Sequence, residues 1–147
     1  MLLQEKQLPP AARNIIPVIQ LYGNDKEYDI HPFLAKELRK NKWRKVSRGY
    51  RPFFVSSCGK YILKQSFLSE ERRIPDCSIP TYKISEGQYP WMIQAKANRS
   101  PKARNQAWRS FNRKINSKKN CYDDLSNCDI HEGNVGVYKG KSVLIDW

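Results

Sequence analysis

An α+β fold is predicted by three features of the sequence. Aromatic and β-branched residues cluster around a turn between Val46 and Lys64, apolar residues recur at helical spacing after Pro101, and the segment from Val135 to Ile145 reads as a hairpin. The expected organisation is an irregular lead-in over 1–30, a lobe of one helix and antiparallel strands over 31–97, and a second, mostly helical lobe over 98–147.

Within the lead-in, Pro9, Pro10 and Pro17 surround Ile15-Ile16-Pro17-Val18-Ile19, and Gly23-Asn24-Asp25 carries turn chemistry, so a partly extended chain is expected. From His31 to Lys45, Phe33, Leu34, Leu38 and Trp43 fall amid Lys36, Glu37, Arg39, Lys40 and Lys42. That pattern predicts a short amphipathic helix, started by Asp29 or by His31-Pro32. Tyr50, Phe53, Phe54 and Val55, then Tyr61, Ile62 and Leu63, broken by Ser56-Ser57-Cys58-Gly59, read as strand, turn, strand. Residues 65–83 are polar and carry Pro75 and Pro80, which leaves room only for a short helix, and Trp91-Met92-Ile93-Gln94 is a further strand.

Ser100-Pro101 supplies an N-cap and a first-turn proline. Ala103, Ala107, Trp108, Phe111 and Ile115 follow at helical spacing, predicting a helix over about 101–118. At the end, Val135–Tyr138 and Ser142–Ile145 flank Lys139-Gly140-Lys141, a glycine-containing hairpin turn.

The composition narrows the function classes. The chain has 147 residues and a formal charge of +13, and its 5 Phe, 4 Trp and 8 Tyr supply large burial units. No apolar run approaches the roughly 20 residues of a membrane span, and Gln4-Glu5-Lys6 interrupts the first apolar residues, so neither a membrane association nor a signal peptide is expected. A cytoplasmic location follows, with Cys58, Cys77, Cys121 and Cys128 as reduced thiols and the first two as small core hydrophobes. Two histidines, His31 and His131, exclude a His-rich metal site, and His131 is read as a loop histidine that bonds the main chain.

The stretch that carries chemistry is Asp129-Ile130-His131-Glu132-Gly133-Asn134, then the hairpin, then Ile145-Asp146-Trp147. Asp129, Asn134 and Asp146 stand 5 and 12 residues apart, and a hairpin in the second interval carries the last of them back toward the others. Oxygen ligands of this kind suit Mg²⁺, which prefers one or two carboxylates together with substrate phosphates. A further carboxylate beside that ion is placed to orient a hydroxyl nucleophile, the division of labour that phosphoryl transfer needs.

These residues resemble the protein-kinase-like superfamily, in particular small kinase-like proteins of tailed bacteriophages and the aminoglycoside and choline kinase branch. The family's catalytic loop D-x-H-x-G-N, its two short strands and its I-D-W ending match Asp129–Asn134 and Ile145-Asp146-Trp147 position by position. The resemblance implies that Asp129 is the catalytic aspartate, Asn134 and Asp146 the metal ligands, and ATP with Mg²⁺ the cofactors. Upstream, Arg44–Val55 is similar to a phosphate-covering hairpin reduced to one glycine, Gly49. Gly59–Lys64 is similar to the strand that ends in the phosphate-contacting lysine, Lys64, and Trp91–Lys96 to the strand and hinge that hold adenine through Gln94 and Lys96. The implied architecture is a reduced protein-kinase-like fold, a small antiparallel sheet lobe plus a minimal helical lobe with a catalytic-loop hairpin. The implied activity is transfer of the γ-phosphoryl group to a hydroxyl of a host protein. Glu70 and Glu71, the acidic residues that follow the lysine strand, are read as a solvated cluster with Arg72 and Arg73.

The charge supports a second reading. Arg39, Lys40, Lys42, Arg44, Lys45, Arg48 and Arg51 form one cationic run, and Lys102, Arg109 and Arg113 share a helix face opposite Ala107, Phe111 and Ile115. On this reading the chain is a catalytically inactive kinase-fold effector whose basic surface binds and inhibits an acidic host protein or a nucleic acid.

Overall fold

The computed structural model describes residues 2–23, 30–48, 51–65, 74, 76–85, 90–116 and 131–145. They form a mixed α+β structure with a small antiparallel sheet, and the chain divides into two compact units. One comprises residues 2–73 with 81–95, the other 74–80 with 96–147.

The first unit contains helices α1 (Pro10–Arg13), α2 (Ile16–Tyr22) and α3 (Pro32–Lys40) and strands β1 (Arg44–Arg48), β2 (Arg51–Val55), β3 (Tyr61–Gln65), β4 (Thr81–Lys83) and β5 (Trp91–Ala95). The lead-in expected to be irregular is therefore helical. Its prolines stand in first turns, Pro10 in α1 and Pro17 in α2, where the missing N–H has no intrahelical acceptor to lose. Ala12, Ile15, Ile16 and Ile19, spaced i, i+3, i+4, i+7, are buried along one stripe. Helix α3 begins where His31 accepts the Phe33 N–H at Nδ1, 3.1 Å away. It ends in a Schellman motif: Lys42, at φ 60°, donates to Arg39, and Trp43 donates to Leu38.

The sheet order is β1-β2-β3-β5-β4, every pairing antiparallel. Its cross-strand rows settle which side chains share a face. Phe54, Leu63, Ile93 and Tyr82 form one row, and Phe54, Leu63 and Ile93 join Leu8, Ile19, Leu34, Leu38, Trp43 and Trp91 in the core. The adjacent row, Phe53, Lys64, Met92 and Lys83, lies on the opposite face by the two-residue period of a strand.

Trp91 joins the sheet to the helices. Its ring is 1% exposed, and its Nε1–H donates to the Gly23 carbonyl at the end of α2, 2.6 Å away. A Cβ on Gly23 would lie 2.6 Å from the Ile19 carbonyl oxygen and 2.9 Å from Trp91 Nε1, so the close approach requires glycine.

The second unit is built on helix α4 (Pro101–Asn116) and the hairpin β6 (Val135–Tyr138) and β7 (Lys141–Leu144). Ser100 caps α4 as expected, its Oγ accepting the Ala103 N–H at 3.2 Å. Ala107 and Phe111 pack on Val135 and Leu144, whereas Ile115, expected on the same stripe, is 40% exposed. Lys139 and Gly140 make the hairpin turn with positive φ at both positions, 47° and 78°. Both outer edges of the hairpin are occupied. Asn98 exchanges two hydrogen bonds with Val137 on β6, and Leu144 on β7 donates to Cys77 and accepts from Ile79.

Two substitutions test the Trp91 joint by chemical denaturation. Trp91→Phe leaves the Gly23 carbonyl only the long hydrogen bond from Gln65 Nε2, 3.5 Å away, and should cost about 1–3 kcal/mol. Gly23→Ala inserts a methyl into filled space and should cost about 1–3 kcal/mol.

Candidate functional site

Local hydrogen bonds hold Asn134 in place. It ends a 3₁₀ turn, Glu132–Asn134, and leads directly into β6. His131 caps that turn: its Nδ1 accepts the Gly133 N–H at 3.0 Å, and its carbonyl accepts the Asn134 N–H at 2.9 Å. This is the main-chain bonding role expected of the histidine. The Arg99 guanidinium donates to the Gly133 carbonyl, tying the turn to the segment that precedes α4.

The hairpin then returns to Asn134. Val135 pairs with Leu144, and one step further out the Ile145 N–H donates to the Asn134 carbonyl at 2.8 Å. The residue immediately before Asp146 is thus bonded to the proposed metal-binding asparagine. Gly136 lets the hairpin sit close to the incoming chain, since a Cβ there would meet the Asn98 carbonyl oxygen at 2.9 Å. Asp129, Asp146, Gly49, Glu70 and Glu71 lie outside the described residues.

Lys64 is half-buried on β3, with Phe53 and Met92 as its cross-strand partners. It faces away from the helical core because Leu63, its neighbour in the chain, faces into it. Lys83 occupies the same row on the far side of Met92. Gln94 is 2% exposed on β5 between β3 and β4, so its main-chain groups point at neighbouring strands. Lys96 lies past the end of β5 and is exposed, and of the two residues named for adenine it is the one outside the ladder.

Cysteine placement corrects the expectation of two core thiols. Cys77 is half-buried beside the second core, but Cys58 is exposed in the β2–β3 turn, where polar neighbours rather than apolar packing surround it. Its Sγ lies 3.3 Å from Ser56 Oγ. That hydroxyl draws the thiol pKa below its ordinary value; partial burial opposes it, and the Lys60 and Cys58 main-chain groups and the Lys60 charge assist.

Among the described residues, no three His, Cys, Asp or Glu side chains converge as a metal cluster. Of the motif's three oxygen donors, Asn134 is the one among the described residues. No protein-family model matches this chain, and neither a characterised protein nor a solved structure is detectably similar to it.

The Cys58 environment predicts a pH profile. Alkylation by iodoacetamide, followed by peptide mass spectrometry, should reach half its plateau rate below the pH expected of an unperturbed thiol. Ser56→Ala should shift that midpoint upward and slow the reaction at pH 7; an unchanged midpoint would refute the assigned cause.

Proposed function

We propose that this chain is a kinase-like phosphotransferase that binds Mg-ATP and transfers the γ-phosphoryl group to a protein hydroxyl. The observation that carries the reading is the motif Asp129–Asn134 and Ile145-Asp146-Trp147, with a hairpin between its halves whose last hydrogen bond joins Ile145 to Asn134. Asn134 and Asp146 offer a carboxamide and a carboxylate oxygen, a donor set that fits Mg²⁺, which neutralises phosphate charge when bound. Lys64 contributes a cation on the sheet face away from the core and is assigned to the ATP phosphates. The Lys96 main chain, outside the strand ladder, is assigned to adenine.

The reaction balances without a redox partner. The acceptor hydroxyl attacks the γ-phosphorus, Asp129 takes its proton, the bond from the γ-phosphorus to the β,γ-bridging oxygen breaks, and ADP leaves. The resemblance makes a bacteriophage origin and a host-protein acceptor in the host cytoplasm part of this proposal.

The basic surface favours a second reading, an inactive effector that binds an acidic host protein or nucleic acid. Helix α4 contains no Asp or Glu, and Lys102, Arg109 and Arg113 on its outer face are exposed. These cations have no helical carboxylate to serve.

Phosphate transfer from radiolabelled ATP, with the protein itself and a host-cell extract as acceptors, separates the readings. Asp146→Ala should weaken Mg-dependent ATP binding and abolish transfer together. Asp129→Ala should bind Mg-ATP nearly normally while transfer falls by about 10²-fold or more. Wild type that labels nothing, or Asp129→Ala that labels equally well, leaves the effector reading in place. Binding itself is read by melting: Mg-ATP at about 100 times its dissociation constant should add about 2.7 kcal/mol.

A further inference from the structure

We infer that the pocket between α4, β7 and the segment at Asp76–Ser78 binds a phosphomonoester, a small molecule or side chain that ends in a phosphate group. This goes beyond the proposed transfer reaction and shares no residue with it. The cavity measures about 470 Å³, within the range of roughly 300–1,000 Å³ typical of small-ligand sites. Among the described residues that line it, Val143 alone is aliphatic.

Three cations from two elements line it. Arg113 and Lys114 come from the last turn of α4 and Lys141 from the first residue of β7. The two helix residues also complement the negative end of the helix dipole. That role does not extend to Lys141, which the hairpin brings to the same wall. Among the described residues, Asp76 is the one carboxylate that lines the pocket, against three cations. A phosphomonoester carries about −1.5 to −2 at pH 7, so these cations attract it more strongly than a backbone phosphodiester with its single charge.

The neutral groups fit the same ligand. Ser110 on α4 and Ser142 on β7 are half-buried in the lining, and a serine hydroxyl can turn a proton toward a phosphate oxygen. Arg113 adds a planar fork of donors suited to two oxygens at once. The carbonyls at the end of α4 oppose an anion, but their partial charge is smaller than that of any one of the three full cations around them.

Titration calorimetry of the full chain at low salt tests the site, with O-phosphoserine, ribose 5-phosphate and inorganic phosphate as probes. At least one of the two organic esters should bind, and Arg113→Gln and Lys141→Gln should each weaken it about 10-fold. Both residues are exposed, so the variants should melt as wild type does. Arg39→Gln, on α3 in the other unit, should leave affinity unchanged. Preference for phosphoserine identifies a phosphorylated peptide as the source, and preference for the sugar phosphate a metabolite. Absence of ester binding at about 10 mM, binding of inorganic phosphate alone, or an equal loss in Arg39→Gln would overturn the site. So would a single-stranded oligonucleotide that binds when neither ester does and is weakened by the same two substitutions.

Discussion

The hydrogen bond from the Trp91 indole to the Gly23 carbonyl governs the first unit. Trp91 opens β5, a strand with a partner on each side, and Gly23 closes α2, so this buried bond, with the longer ones from Gln65 Nε2 to Gly23 and from Gln20 Nε2 to Ile84, ties the helical layer to the sheet. Burying a side chain of this size contributes about 1.5–3 kcal/mol. The bond adds direction to that gain, because the indole N–H has to find an acceptor once it leaves water. Orientation then propagates through the period of two. With Trp91, Ile93 and Leu63 turned toward the helices, Met92 and Lys64 face the other way. The direction of the candidate phosphate-binding lysine is therefore set by apolar neighbours that take no part in chemistry.

In the second unit the corresponding constraint is backbone pairing around a short hairpin. A two-stranded ribbon alone is marginal in water. Here Asn98 pairs with β6, Cys77 and Ile79 pair with β7, and Phe111 covers the apolar side. Asn134 sits at the open end of that assembly, held through its own N–H and carbonyl to His131 and Ile145. Its main chain is bonded once within its own turn and once across the hairpin, which is how a polar loop residue acquires a defined position.

Much of this was legible in the sequence. Ser100-Pro101 announced the start of α4 because an oxygen cap and a proline without an N–H both suit a first helical turn. Lys139-Gly140 announced the hairpin because the turn needs positive φ twice. The N-terminal helices were missed through the weight given to prolines as breakers, although Ala12, Ile15, Ile16 and Ile19 already carried the helical period. Cys58 was misplaced because its residue type favours burial in general, while its own neighbours, Ser56, Ser57 and Gly59, make a turn. At the candidate site, the Asn134 position followed from local pattern. The charged pocket did not, since Asp76, Arg113 and Lys141 are distant in sequence and only the paired segment at Cys77–Ile79 gathers them.

The central proposal is that the Asp129–Asp146 motif binds Mg-ATP. A crystal structure with Mg²⁺ and a non-hydrolysable ATP analogue tests it most directly. The ion should lie on the oxygens of Asn134 and Asp146 with the analogue's phosphates bound to it. An analogue that does not bind, or that binds without an ion on Asn134 and Asp146, would contradict the proposal.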